Sequence, residues 1–317
     1  MSGDVEILRT MWRIRRFEEQ VIRFFQRGLI RGSTHVSIGQ EATAAGACAA
    51  LNPTDWITST HRGHGHVIAK GAELAPAMAE VLGRADGTCN GKGGSMHIAD
   101  LELGILGANG LVGGSLAIAT GAAFTSQVTG DDRVTLCFFG DGALAEGLFH
   151  EAATLAGLWG LPVIFLCEMN AFAEFTRAEV VLPIPAEELH RRADGYGFPG
   201  LAVDGNDPLA VRDAVAEARE RALTDGRPTL IVAHTYRLEG HNIGDPESYR
   251  TKEERSAARE RDPIPRYGDV LVERGLLEPQ DVERLGEEAR AEAAAAVEFA
   301  LASPLPDLAE LTTDVYV

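Results

Sequence analysis

The residues best placed to do chemistry stand at the two ends of "FFGDGALAEGLFHEAATLAGLWGLPVIFLCEMN", Phe138 to Asn170. An apolar run from Val134 to Phe139 ends in Gly140, Asp141 and Gly142, which delivers a carboxylate to the lip of a sheet, where charge is either useful or costly. A helix is expected from about 144 to 158 and a second strand from 162 to 167, so Asp141 and Asn170 follow consecutive parallel strands and emerge at one carboxyl edge. They can share one ligand. The flanking glycines permit a tight turn, and a helix starting near Leu144 offers unpaired N–H groups to an anion. A carboxylate beside a phosphate repels it unless a divalent cation lies between. Mg²⁺ takes the hard oxygens of a carboxylate, an amide and a backbone carbonyl together with those of phosphate. Taken singly, Asp141 reads better as a helix cap and Asn170 as a turn residue; the pairing across one strand–helix–strand unit favours the metal.

The elements that must position this pair alternate between helix and strand. Residues 4–28 have helical periodicity, with Met11, Ile14, Phe17, Val21 and Phe25 on one face and Gly28 and Gly32 closing the segment. "DWITST" is strand-like, and the stretches "HRGHGHVIAKG" and "GTCNGKGGSMHIADLELGILGANGLVGG" form a long glycine-rich region where the backbone must bend or approach something closely. An Ala/Gly-rich helix at about 114–128 precedes the strand 134–139. After the second strand come a further helix, a short strand near Leu201 to Val203, a helix at 208–224 and the strand "TLIVAHT". The pattern predicts an α/β fold, a three-layer parallel sheet with helices on both faces. From about residue 250 the chain turns charged and Ala/Glu-rich, which reads as a C-terminal helical tail. The expected division is residues 1–250 for the α/β domain with its N-terminal helix and residues 251–317 for a tail packed on it.

Composition narrows the class. With 317 residues, 45% hydrophobic and 24% charged, the chain can bury a substantial core. A formal net charge of −18 disfavours nucleic-acid and anionic-membrane partners while leaving room for a local basic pocket. Cys48, Cys89, Cys137 and Cys167 stand far apart with no Cys-x-x-Cys pair, so they are expected reduced and the compartment cytoplasmic. No apolar core follows a basic start, and no run reaches the roughly 18 apolar residues of a membrane span. "CNGKGGS" lacks a Ser or Thr beside Lys92 to hold Mg²⁺ in a phosphate loop. "GDGALAEG" has one residue too many for a dinucleotide fingerprint, and its aspartate would repel a pyrophosphate. "HRGHGH" supplies His61, His64 and His66 but no further soft ligand at zinc-finger spacing.

The segment from Gly140, Asp141 and Gly142 to Asn170 resembles the thiamine diphosphate and magnesium motif. With "THVSIGQEA", "HRGHG", "GKGGSMH", "GANGLVGG", "HTYRLEGH" and "DPESYRTKEE" in one order, the chain from about residue 8 onward resembles the alpha chain of the decarboxylating component of 2-oxo acid dehydrogenase complexes, acetoin dehydrogenases included. The resemblance implies that Asp141, Asn170 and the backbone carbonyl of Phe172 bind Mg²⁺. Gly140, Gly142 and Ala143 would line the diphosphate, Arg62 and Arg237 would pair with its oxygens, and Gly110 and Val112 would meet the aminopyrimidine. His35, His64 and His241 correspond to histidines around the reactive thiazolium, with His241 the first candidate for proton transfer.

The same resemblance implies decarboxylation of a pyruvate-like 2-oxo acid or cleavage of acetoin, with the acyl group passed to a lipoyl acyltransferase. It also implies an α₂β₂ heterotetramer, because this chain has room for one α/β domain and the carboxylate that activates the aminopyrimidine would come from a beta chain. Departures fall on the substrate side: Met169 stands where a second asparagine is usual, His61 where a tyrosine is common, and Leu238 and Glu239 where many pyruvate enzymes carry Tyr and His. Asn242 takes the place of a regulatory serine. These leave acetoin and pyruvate both open, beside an acyl-transfer enzyme of a biosynthetic pathway and a non-catalytic scaffold of the same fold.

Overall fold

A computed structural model describes residues 3–314; positions 1–2 and 315–317, the outer ends of the two expected segments, lie outside the described residues. The chain begins with α1 (Gly3–Gln26), α2 (Glu41–Ala49), β1 (Trp56–Thr60), α3 (His64–Ala69) and α4 (Leu74–Val81). Next come β2 (Ile105–Asn109), α5 (Gly114–Thr129), β3 (Thr135–Gly140), α6 (Gly147–Trp159) and β4 (Val163–Met169). A small antiparallel pair, β5 (Phe172–Ala173) and β6 (Thr176–Arg177), precedes α7 (Ala178–Val181), β7 (Gly200–Asp204), α8 (Pro208–Thr224) and β8 (Thr229–His234). Three helices follow: α9 (Lys252–Arg259), α10 (Pro263–Glu273) and α11 (Pro279–Ala302).

The six-stranded sheet has the order β2-β1-β3-β4-β8-β7, and every neighbouring pair is parallel. A parallel strand covered on both faces has no polar side to show, which is why β3 and β4 read as continuous apolar runs. Leu136, Phe138, Ile164 and Leu166 join the core under α1, α4 and α8. Cys137, Phe139, Phe165 and Cys167 point the other way into a core shared with α5 and α6. Each fully buried phenylalanine here contributes about 1.5–3 kcal/mol. At the C-terminus Ala289, Ala293, Ala296 and Ala300 form the buried stripe of α11, whose small side chains let that helix lie close along α1 and α4. This is the three-layer α/β architecture with a C-terminal helix that the alternation of elements predicts.

Several local expectations are corrected. The helix expected from about 144 starts later: Asp141–Ala145 is a 3₁₀ turn, Glu146 is extended, and α6 begins at Gly147. The glycine-rich region contains an edge strand, β2, with Gly104 and Gly107 at positive φ and an irregular register against β1. Its glycines hide the strand pattern. The single helix expected after β4 is the short α7 and a 3₁₀ stretch, Ala186–Tyr196, because Pro183 and Pro185 interrupt it.

One glycine sets a close approach between two helices. Gly46 lies in α2 where that helix meets the first turn of α8, and a Cβ there would overlap the Pro208 carbonyl. Gly46→Ala should therefore push α8 away and lower stability by about 1–3 kcal/mol in urea denaturation. An unchanged midpoint would show that the two helices have slack.

Candidate active site

Register builds the site. Gly140 pairs with Glu168 at the ends of β3 and β4, so Asp141 and Asn170 leave the sheet at the same edge, into a cavity of about 440 Å³. Asp141 is buried; its Oδ1 accepts the Gly142 N–H at 2.9 Å, and Oδ2 has no partner among the described residues. Burial pushes its carboxyl up to about 6. Asn170 donates from Nδ2 to Gln40 Oε1 at 3.3 Å, which orients the amide and leaves Oδ1 with only a long bond, 3.3 Å, from the Phe172 N–H. Between them Ala171 has a φ of 73°, a left-handed turn uncommon outside glycine. Gly142 backs onto Ala173, whose Cβ would stand 3.2 Å from one added at 142.

Two buried guanidinium groups face this corner. Arg62 donates to the carbonyls of Val36 and, at 2.9 Å, His241. Arg237 donates to His241 Nδ1 at 2.9 Å and to the Glu174 carbonyl at 2.9 Å, while its Nε has no partner among the described residues. Burial, and then Arg237, pull Arg62 down to about 9, and burial also lowers Arg237. Glu168 and Glu18 partly offset Arg62, and Glu168 lines the cavity with its Oε1 unpaired. Desolvated cations with unspent N–H groups make an anion site.

The opposite chemistry stands beside them. The ring of His35 lies 4.6 Å from that of His61 and 4.8 Å from that of His241, centroid to centroid. Burial is the largest cause that holds all three neutral, His35 at about 2, His61 at about 3 and His241 at about 4, with Arg62 adding to each. A guanidinium can only donate, so His241 Nδ1 accepts from Arg237 and the ring proton sits on Nε2. The His241 backbone N–H donates to Asp245 Oδ2 at 2.7 Å, and Tyr249 Oη donates to the same oxygen at 2.6 Å. The three rings bring nitrogens within 4.8 Å, as a metal would need, but Arg237 occupies one of them and two cations stand close by. They form a neutral hydrogen-bonding wall.

Of the residues expected at the site, Gly110, Val112, Gly140, Gly142, Ala143 and Phe172 line the cavity with Asp141, Asn170, Arg62, Arg237, His35 and His241. His64 is the correction. It is fully buried and absent from the lining, with Nδ1 on Glu18 at 2.8 Å and Nε2 on Ser95 at 3.0 Å, because α3 starts at His64 and turns the ring into the core. His61, just after β1, lines the cavity instead. Gln40 and Glu168 also line the cavity and are not singled out by the sequence; a lone glutamate inside the apolar run "VIFLCEMN" is the available signal for the second.

These residues fit a diphosphate bridged by a divalent cation: an orphaned carboxylate oxygen and an oriented amide for the metal, and two arginines for the anion. Without them Asp141 is a liability. Its folded pKa, about 6, lies above the ordinary 3.8, so the folded chain holds a proton between about pH 4 and 6 that the unfolded chain has released. Stability from this group falls as pH rises through that window, and the deficit is complete above it. Asp141→Asn should raise the melting temperature of the cofactor-free chain at pH 8 by a few degrees, lose that advantage near pH 4, and abolish Mg²⁺-dependent cofactor binding. A variant less stable than wild type at pH 8 would contradict the assignment.

Comparison with known proteins is consistent with this geometry. A family described as the dehydrogenase E1 component matches residues 9–309. The chain is 47% identical over 309 residues to the alpha subunit of an acetoin:2,6-dichlorophenolindophenol oxidoreductase of Bacillus subtilis (strain 168), covering 97% of this chain and 91% of the relative. It is 41% identical to the protein of the same name from Cupriavidus necator, covering 99% and 95%. It is 38% identical to the pyruvate dehydrogenase E1 component subunit alpha of Rhizobium meliloti (strain 1021), covering 99% and 90%. The chain belongs to the dehydrogenase E1 component family, as an alpha subunit of this thiamine diphosphate-dependent class of oxidoreductase.

Proposed function

We propose that the chain is the alpha subunit of an enzyme that cleaves a neutral 2-hydroxyketone of the acetoin type and passes the acyl group to a lipoyl acyltransferase. The observation that carries this reading is the meeting, in one cavity, of an unpaired carboxylate oxygen, two buried arginines and three neutral histidines. Asp141, Asn170 and the Phe172 carbonyl would hold Mg²⁺; Arg62 and Arg237 would hold the diphosphate against Gly140, Gly142 and Ala143; Gly110 and Val112 would receive the aminopyrimidine. Bound there, thiamine diphosphate supplies the centre that takes up the electron pair of the broken carbon–carbon bond. His241 presents Nε2–H as a donor to a substrate oxygen that gains negative charge, and it does so without becoming charged. His35, whose Nδ1 has no protein partner, is the second proton-handling group.

The neutrality of that wall favours an uncharged substrate. A 2-oxo acid needs a cation for its carboxylate, yet the guanidinium groups are already spent on carbonyls, on His241 and on the expected diphosphate, and Glu146 and Glu174 add negative charge to the lining. The names of the Bacillus and Cupriavidus relatives point the same way. Pyruvate is the second reading, supported by the Rhizobium relative. Alpha-subunit relatives imply a beta chain. An α₂β₂ assembly is supported by exposed apolar side chains, Leu111 and Val112 at the cavity and Phe124, Leu158 and Trp159 on α5 and α6. Four unpaired thiols suit a reducing compartment, the cytoplasm in this reading.

The test follows reduction of an artificial electron acceptor by the chain, with and without its beta chain, in Mg²⁺ and thiamine diphosphate. The chain alone should be inactive, and the pair should turn over acetoin at least tenfold faster than pyruvate. Faster pyruvate turnover selects the second reading, and full activity from this chain alone overturns the two-chain account. In the pair, His241→Ala should lower kcat by about 10²–10⁴ with cofactor affinity nearly unchanged; near-normal turnover would pass the role to His35.

A further inference from the structure

His64, displaced from the cavity, belongs to a buried chain of hydrogen bonds that the chemistry does not use. Glu18 lies on the apolar face of α1 between Phe17 and Val21 and is fully buried. A carboxylate without water is tolerable only where its lone pairs are taken. Here they are: Oε1 accepts the Ser37 N–H at 2.7 Å and the Ser37 hydroxyl at 2.8 Å, and Oε2 faces His64 Nδ1 at 2.8 Å. His64 Nε2 in turn meets Ser95 Oγ at 3.0 Å, and Phe17 packs against the edge of its ring.

Each end of this chain reaches a segment that lines the cavity. Ser37 follows His35 and Val36, and the Val36 carbonyl takes a hydrogen bond from Arg62. His64 stands two residues after Arg62 itself. Ser95 precedes Met96, which lines the cavity, in a loop whose underside is pinned by Glu80 accepting the N–H groups of Cys89, Gly91, Gly93 and Gly94 at 2.7–2.9 Å. One carboxylate thus ties Arg62 and the backbone that receives it to the same point on α1, while neither Glu18 nor His64 lines the cavity.

We infer that Glu18 and His64 are positioning residues: through Ser37 and Ser95 they fix His35, Arg62 and Met96 in the arrangement that binds the diphosphate cofactor, and they move no proton in the reaction. This rests on the cofactor reading above. The hydrogen-bond pattern also makes the two residues interchangeable in polarity. With a carboxylate at 18, His64 carries its proton on Nδ1 and accepts from Ser95. With an amide there, the carbonyl still serves Ser37, the NH₂ donates to Nδ1, and His64 donates from Nε2 to Ser95. Glu18→Gln therefore keeps every bond by reversing the tautomer, whereas Glu18→Ala loses three.

The test uses the full chain in complex with its beta chain. Calorimetry measures thiamine diphosphate affinity in saturating Mg²⁺, thermal melting measures the cofactor-free fold, and kcat is followed against pH at saturating cofactor. Glu18→Ala and His64→Ala should weaken cofactor affinity at least tenfold, Glu18→Gln should stay within about threefold of wild type, and the shape of the kcat–pH profile should hold in all three. Should Glu18→Ala fail to fold, Ser95→Ala, which removes only the last hydroxyl, should still weaken affinity severalfold. Wild-type affinity in Glu18→Ala, or in His64→Ala and Ser95→Ala together, overturns the inference. So does a pH profile that loses a limb in His64→Ala with affinity intact, since that marks proton transfer. If the wild-type complex itself binds no thiamine diphosphate, the cofactor reading falls and this inference with it.

Discussion

Asp141 follows the last residue of β3, a mostly apolar strand, with one carboxylate oxygen bonded to the neighbouring glycine and the other without a partner among the described residues. A buried carboxylate in that state costs stability, and burial raises its pKa for the same reason. The surroundings make sense as the other half of an interaction. Asn170 is held by Gln40 so that its amide oxygen is available, Gly142 keeps the floor free of a Cβ, and Arg237 keeps an unpaired Nε in the same cavity. Each is a group left incomplete by the protein alone. A cation bound to a diphosphate would complete them together, which is why metal and cofactor are expected to bind as a unit.

The same economy governs the charge of the site. The chain as a whole carries −18, yet one corner of its cavity holds two cations, because Arg62 and Arg237 are buried there with mostly neutral partners. Exposed acidic groups beyond roughly 8 Å are screened at physiological salt, so the anion answers to the local pair. Those arginines then set the state of the histidines. Their field adds to burial in keeping His61 and His241 neutral, and the bond from Arg237 fixes the His241 tautomer. Cofactor binding and the hydrogen-bonding capacity of the substrate wall are therefore linked through two side chains.

Much of this was legible in the sequence where the physics is periodic. Apolar runs that stop at Gly-Asp-Gly and at Met-Asn announce strands ending at one edge, and the register of Gly140 with Glu168 shows why the pairing works. β2 was hidden because the glycines that let it hug β1 also erase a strand's pattern. His61, His64 and His66 fall within six residues, and only the start of α3 decides that the first faces the cavity while the other two turn inward, His66 stacking on Phe138 at 3.8 Å. Glu18 was invisible for a related reason. On a helix read for its apolar stripe, the first of two adjacent glutamates between Phe17 and Val21 looks like an edge residue until its partners, 19 and 46 positions away, are placed.

The most direct test of the central claim is crystallographic: the alpha–beta complex grown with thiamine diphosphate and Mn²⁺ in place of Mg²⁺, with the metal located by its anomalous scattering. The account predicts one strong peak within about 2.0–2.3 Å of Asp141 Oδ2, Asn170 Oδ1 and the Phe172 carbonyl oxygen, with diphosphate oxygens also in the shell, between Arg62 and Arg237. A peak among His35, His61 and His241, or a diphosphate bound with no metal at Asp141, would contradict it.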